Sequence, residues 1–147
     1  MSVTGQGVRA GHLLVRAGTR LVGLPLDQVV EVLDPGASFP VPASEPAVRG
    51  VAVVRVRILP LVHLGALLDG AACPVERADT GVLVELGGRR LCLEVEEAES
   101  VLYDPGLAVP PGTALPWAAA VARTDRGLVP LLDLVALGAR FTEIPAV

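Results

Sequence analysis

The chain has 147 residues, of which 52% are apolar and 19% charged, with a formal net charge of −4. That length suits one domain with a sizeable core. The acidic balance speaks against a nucleic-acid partner, which leaves a basic footprint, and gives no reason to expect binding to anionic lipid. No stretch approaches about 18 apolar residues without a polar, Pro or Gly break, so no membrane-spanning helix is expected. Residues 1–11 hold Ser, Thr, Gln and Gly without an apolar core, so they are expected to form a loose tail rather than a signal peptide. A cytoplasmic protein without membrane insertion is the expectation.

The first elements in chain order are two short apolar runs, Leu13–Ala17 and Leu21–Pro25, around Gly18-Thr19, a hairpin signal. A third run, Val29–Leu33, ends at Asp34-Pro35-Gly36. A Pro-rich connection follows through Phe39, Pro40, Pro42 and Pro46, and is expected to be loop or edge because Pro cannot donate to a ladder. Val48–Arg55 and Arg57–Val62 are two more strand-like runs, and His63–Asp69 is a short helical pattern closed by Gly70. The same plan returns as Val82–Leu86, Leu91–Val95, Glu99–Tyr103 with Asp104-Pro105-Gly106, the prolines at 110, 111 and 116, Ala118–Thr124, Gly127–Leu132 and Asp133–Gly138. Pro60 and Pro130 interrupt equivalent runs and are expected at edge or bulge positions.

The return is a repeat. Shifted by 70 residues, Gly11–Leu67 matches Gly81–Leu137 without a gap, with identity at 17 of 57 positions. The identities include Asp-Pro-Gly and the Pro-Leu-x-x-Leu-x-Ala-Leu of Pro60–Leu67 and Pro130–Leu137. Each half holds five strands and a short closing helix. The expected fold is all-β: two five-stranded SH3-like barrels around a shared core. Trp117, beside Pro116, is placed to fill the gap between them.

Catalysis finds little material. Cys73 and Cys92 are isolated, so no metal cluster is expected and Cys92 reads as a buried free thiol. No glycine-rich phosphate loop is present, so no cofactor is expected. His12 and His63 have no visible second group to hold them, and read as surface or capping residues. Glu94, Glu96, Glu97 and Glu99 read as a solvated acidic face, with docking of a basic partner as the alternative. Lysine is absent and all twelve basic residues are Arg, which reads as codon bias.

The segment Gly50-Val51-Ala52-Val53-Val54-Arg55-Val56-Arg57-Ile58-Leu59-Pro60-Leu61-Val62-His63-Leu64 resembles the signature of CheW-like coupling proteins, Gly-Val-x-Asn-Leu-Arg-Gly-x-Ile-x-Pro-Val-x-Asp-Leu. Gly23–Val32 resembles the family's Gly-x-x-Ile-x-x-Val-x-Glu-Ile, and the likeness extends over residues 12–138. The resemblance implies two related halves, about 11–69 and 81–138, with a C-terminal tail at 139–147. It implies a non-catalytic adaptor in a chemosensory array. Its partners would be the signalling tip of a chemoreceptor, the regulatory domain of a CheA-type histidine kinase, and other CheW-like proteins. It further implies a receptor-binding groove formed by Val29, Glu31, Val51, Val53 and Arg55; Arg55 is the leading site residue, with a strand Arg paired to a surface carboxylate as the alternative. Three departures stand out: Val53 for Asn, Val56 for Gly and His63 for Asp. A Gly permits positive φ, so Val56 implies a straighter strand or strain. These departures, with a short second Pro-rich connection, leave room for an accessory adaptor of the FrzB type that binds receptors without recruiting kinase. An SH3-like module binding a small ligand or peptide outside chemosensing is a third reading.

Overall fold

The computed structural model describes residues 11–103, 107–108 and 117–138. The two tails, the Asp104-Pro105-Gly106 turn and the prolines at 110, 111 and 116 lie outside the described residues. Gly11, expected in the tail, already begins the first strand.

The strands run in chain order as β1 Gly11–Ala17, β2 Arg20–Pro25, β3 Val29–Leu33, β4 Ser38–Phe39, β5 Val48–Val54, β6 Arg57–His63, β7 Thr80–Leu86, β8 Arg89–Val95, β9 Glu97–Tyr103, β10 Leu107–Ala108, β11 Ala118–Thr124 and β12 Gly127–Leu132. Helix α1, Leu64–Asp69, follows β6, and α2, Leu134–Gly138, follows β12. The five expected strands of each half are present. The Pro-rich connections add β4 and β10, two-residue strands at the outer edges. Gly70 ends α1 at φ 65°, a left-handed residue that suits Gly.

Neither sheet is built from one half of the sequence. One sheet has the order β10-β11-β12-β2-β1-β9 and the other β4-β5-β6-β8-β7-β3. The orders are the same once β1–β6 are matched to β7–β12. The halves have therefore exchanged their opening hairpins: β1–β2 completes the sheet of β9–β12, and β7–β8 completes that of β3–β6. Two parallel seams make the exchange, β6 with β8 over Leu61–Cys92, Val62–Leu93 and His63–Glu94, and β12 with β2 at Leu131–Gly23. Pro60 and Pro130 sit in the interior strands of these seams rather than at edges or bulges. Each comes just before its seam begins.

The exchange also shows a one-residue slip. The shared core takes Leu13, Val15, Ala17, Val22 and Leu24 from one hairpin and Val82, Val84, Leu91 and Leu93 from the other. Those residues correspond at an offset of 69, not 70. The gapless match placed Leu13 on Leu83, whose side chain belongs to a different cluster, inside the second barrel, with Ala52, Leu59, Leu61 and Cys92. Side chains alternate in a strand, so a slip of one residue changes the face of each of them. Beyond the hairpins the offset returns to 70: Leu64 and Leu67 share the core with Leu134 and Leu137. Trp117 is buried in that core, as expected. Cys92 is a fully buried free thiol, pushed up to about 12 by burial and by the nearby Glu94 charge.

The β6–β8 seam holds an ion pair. Glu94 is fully buried, and Arg49 Nε and Nη2 donate to its two oxygens at 2.6 and 3.0 Å. The Ala78 amide adds a third bond at 2.8 Å. Arg49 also donates to the carbonyl oxygens of Pro74 and Glu76, at 2.9 and 3.2 Å. One guanidinium thus ties β5, β8 and the 71–79 connection between the halves. Burial works against the Arg49 charge, but the Glu94 bond and charge outweigh it and hold its pKa above the ordinary value.

Glu94→Ala should destabilise the protein by about 3–5 kcal/mol, because it strands a buried guanidinium. Arg49→Met combined with Glu94→Leu should cost much less than the two single changes summed, since both charges leave together. Urea titrations of the wild type, the three single variants and the double variant check this; additive losses would show that the two residues act separately.

Candidate functional site

β5 and β6 form a hairpin whose two turn residues are Arg55 and Val56. Their φ values are 53° and 57°. Positive φ at both positions is the arrangement of a type I′ turn, whose twist suits the flanking strands. The run Val48–Arg55 was expected to remain strand through Arg55; it ends at Val54. Val56 is the strained alternative rather than the straighter strand. It is 97% exposed, with a β-branched side chain in a region that favours Gly.

The turn carries Arg55 across the barrel to β3, the far edge of the same sheet. Arg55 Nε donates to Glu31 Oε1 at 3.1 Å, and Nη2 contacts Glu31 Oε2. This is a two-pronged guanidinium–carboxylate latch between the hairpin tip and the opposite edge. The bond from Arg55, helped by its charge, holds the Glu31 carboxyl below the usual glutamate value. The first barrel has a counterpart. Arg126, in the β11–β12 turn, donates to Glu99 on β9 at 2.5 Å, and Arg16 donates to the same carboxylate at 2.6 Å. Glu99 is likewise held below its ordinary value, chiefly by Arg126.

The outer face beside the Arg55 turn is apolar. Val53 lies opposite Ile58, and Val51 opposite both Pro60 and Phe39. Alternation turns these away from Ala52, Val54, Leu59 and Leu61, which fill the barrel. Val53, Ile58 and Phe39 are each about half exposed, at 55, 48 and 54%. Val53 and Arg55 also line a shallow depression with Leu33 and Asp34 at the end of β3.

The structure thus brings together Glu31 and Arg55, with Val53 beside them. Val51 lies two residues along the same face and is buried. Val29 does not join them: a bulge in the β3–β7 ladder separates it from Glu31, and it packs against the shared core. Ile58 and Phe39 were not among the expected residues. Reflecting Val53 across the 55–56 turn would have found Ile58.

The four glutamates do not form one solvated acidic face, and of them Glu97 is the most exposed, 3.9 Å from Arg16. Glu94 is the buried partner of Arg49, and Glu99 sits between Arg16 and Arg126. Glu96 accepts from the Gly18 amide at 2.5 Å and from His63 Nε2 at 2.8 Å. His63 therefore does have a partner. It is 4% exposed, and its Nδ1 accepts from the Ala66 amide at 3.0 Å. That makes it the N-cap of α1 in the tautomer that carries its proton on Nε2. Asp133 Oδ1 performs the same cap on α2, accepting from Ala136 at 3.0 Å. The replacement of Asp by His at position 63 thus keeps the cap.

A family model described as a CheW-like domain matches residues 11–140. The crystal structure of the scaffolding protein TtCheW from Thermoanaerobacter tengcongensis is similar in fold. Its TM-score is 0.76 at 20% sequence identity, covering 88% of this chain and 92% of that one. No curated protein matches the sequence.

Val56→Gly should stabilise the fold by roughly 1 kcal/mol, by relieving the positive-φ strain without removing a buried contact. Thermal unfolding checks this, and an unchanged or lower Tm would contradict it. The lowered Glu31 pKa fixes the sign of a second expectation. The latch contributes fully above the ordinary glutamate value and is lost as pH falls through the lowered value. In a carboxyl-carbon NMR titration, Glu31 should titrate below the exposed glutamates and return to their range in Arg55→Gln.

Proposed function

The chain belongs to the CheW-like domain family, and from that premise we propose that it is a non-catalytic adaptor of a chemosensory array, coupling chemoreceptor signalling tips to a CheA-type histidine kinase. The observation that carries this reading is the half-exposed apolar face of Val53, Ile58 and Phe39, bordered by the Arg55–Glu31 latch. An amphipathic helix of a receptor tip would lay its apolar stripe on that face, and Arg55 would fix its register by pairing with a polar or acidic side chain. Arg55 suits this role because its side chain remains 70% exposed while Glu31 holds it in place. The kinase contact would be barrel against barrel, and contacts to other CheW-like proteins of the same kind would add strength by multivalency. Cytoplasmic placement accords with this, and among the described residues no helix is long and apolar enough to cross a membrane.

An accessory role, with receptors bound and kinase not recruited, has its own support. Two of the family departures, Val53 and Val56, lie exposed at one hairpin. They alter a contact surface and leave the fold intact.

The test measures the affinity of the whole protein for a receptor-tip fragment and, separately, for a kinase regulatory domain. Binding to both supports coupling, and receptor binding alone supports the accessory role; binding to neither contradicts the adaptor reading. Arg55→Ala and Val53→Asp should each weaken receptor binding by about tenfold or more. Neither should shift the Tm appreciably, because both side chains are exposed. An Arg55→Ala protein that unfolds would make Arg55 structural.

A further inference from the structure

Among the described residues nine have a positive φ, and seven of them are Gly. The two that are not, Arg55 and Val56, are neighbours at the tip of the β5–β6 hairpin. The same chain builds the β7–β8 turn from Gly87-Gly88, at φ 58° and 84°, where neither residue is strained. In the β11–β12 turn it places Gly127 at φ 98°, and Asp125 and Arg126 stay outside the left-handed region. A β-branched residue is an outlier there, so Val56 lowers the stability of its turn. Arg55 has a role in the fold that offsets its own strain, the latch to Glu31. Val56 lies in neither core cluster and is 97% exposed.

The surface beside it gives that side chain a use. An exposed apolar row runs from Phe39 on β4, through Val53 and Ile58 opposite each other on β5 and β6, to Val56 at the tip. Phe39 is level with Val51, five residues before Val56. At about 3.3 Å per residue, less the bend of the turn, the row is roughly 15 Å long, nearly three turns of an α-helix at about 5.4 Å each. Without Val56 it would end at the Val53–Ile58 pair after about 7 Å, little more than one turn. Charge does not select the occupant of this row. Arg55 is matched by Glu31, Arg57 is exposed at the start of β6, and Asp34 lies at the edge of the depression beside Val53.

We infer that Val56 is a partner-contact residue, which lengthens the apolar row so that a receptor-tip helix is held over nearly three turns instead of one. This rests on the adaptor reading, in its coupling or its accessory form. Val56 would meet the apolar stripe of the helix beyond Val53 and Ile58, while Arg55 sets the register. The strained turn is the counterpart of that contact: a glycine turn is more stable and binds less tightly.

The test sets stability against affinity. The whole protein is titrated by calorimetry with a helical-hairpin tip fragment of a chemoreceptor from the same cell and, separately, with a CheA-type regulatory domain. Val56→Gly should raise the Tm and weaken receptor binding by about tenfold. Val56→Asn, which puts a residue suited to positive φ in the turn and removes the apolar contact, should do the same. Val56→Ile should bind the receptor fragment as the wild type does. A residue that served the fold alone would move stability and affinity in the same direction. The inference is overturned by equal receptor affinity of the wild type and Val56→Gly, by a lower Tm in Val56→Gly, or by a loss confined to the regulatory domain. A wild-type protein that binds no receptor tip contradicts the adaptor reading itself, and the inference falls with it.

Discussion

The parallel pairing of β6 with β8 and of β12 with β2 decides how everything else in this protein is arranged. A short antiparallel hairpin is marginal alone, and each opening hairpin here is stabilised by strands of the other half. The exchange buries one face of β1–β2 and of β7–β8 in a single shared core, where Val15, Val22, Val82, Val84 and Leu93 are almost wholly removed from water. It also lets a 147-residue chain of two small repeats behave as one cooperative unit, because neither barrel is complete without both halves.

Charge is used sparingly, and one ion pair, Arg49–Glu94, is drawn inside. Arg49–Glu94 reinforces the stronger seam, Glu96 joins the Gly18 turn to the cap of α1, and Arg55–Glu31 and Arg126–Glu99 latch hairpin tips to the far edges of their sheets. What these pairs leave exposed differs between the barrels. Around the Arg55 latch the surface is apolar, with Val53, Ile58 and Phe39. Around the Arg126 latch a gap between β2 and β12 leaves an open cleft lined by Arg16, Arg20 and Arg126 beside Trp117 and Leu128. The repeat has thus diverged in its exposed surface while its core positions remained matched.

Much of the fold was legible in the sequence. The repeat, the strands, the short helices and the burial of Trp117 follow from apolar alternation and turn residues. Strand partners do not, because alternation tells which residues face a core and not which neighbour supplies it; the hairpin exchange was therefore out of reach. The one-residue slip was hidden for the same reason, since Leu13 over Leu83 is as good an identity as any. The turn at Arg55-Val56 was masked by valine's preference for strands, although the matching Thr124-Asp125-Arg126-Gly127 has the composition of a turn. Of the candidate site, Glu31, Val53 and Arg55 come together, while Val29 was carried to the core by a bulge that composition does not announce. Glu94 stood in the apolar run Leu91–Val95, and a carboxylate there requires a buried partner; nothing local to it singles out Arg49.

Backbone NMR distinguishes exchanged hairpins from two self-contained barrels. Cross-strand Overhauser contacts should join Gly23 to Leu131 and Cys92 to Leu61. Contacts from Gly23 to Leu61 and from Cys92 to Leu131 would mean that each half folds its own barrel, and would contradict the exchange.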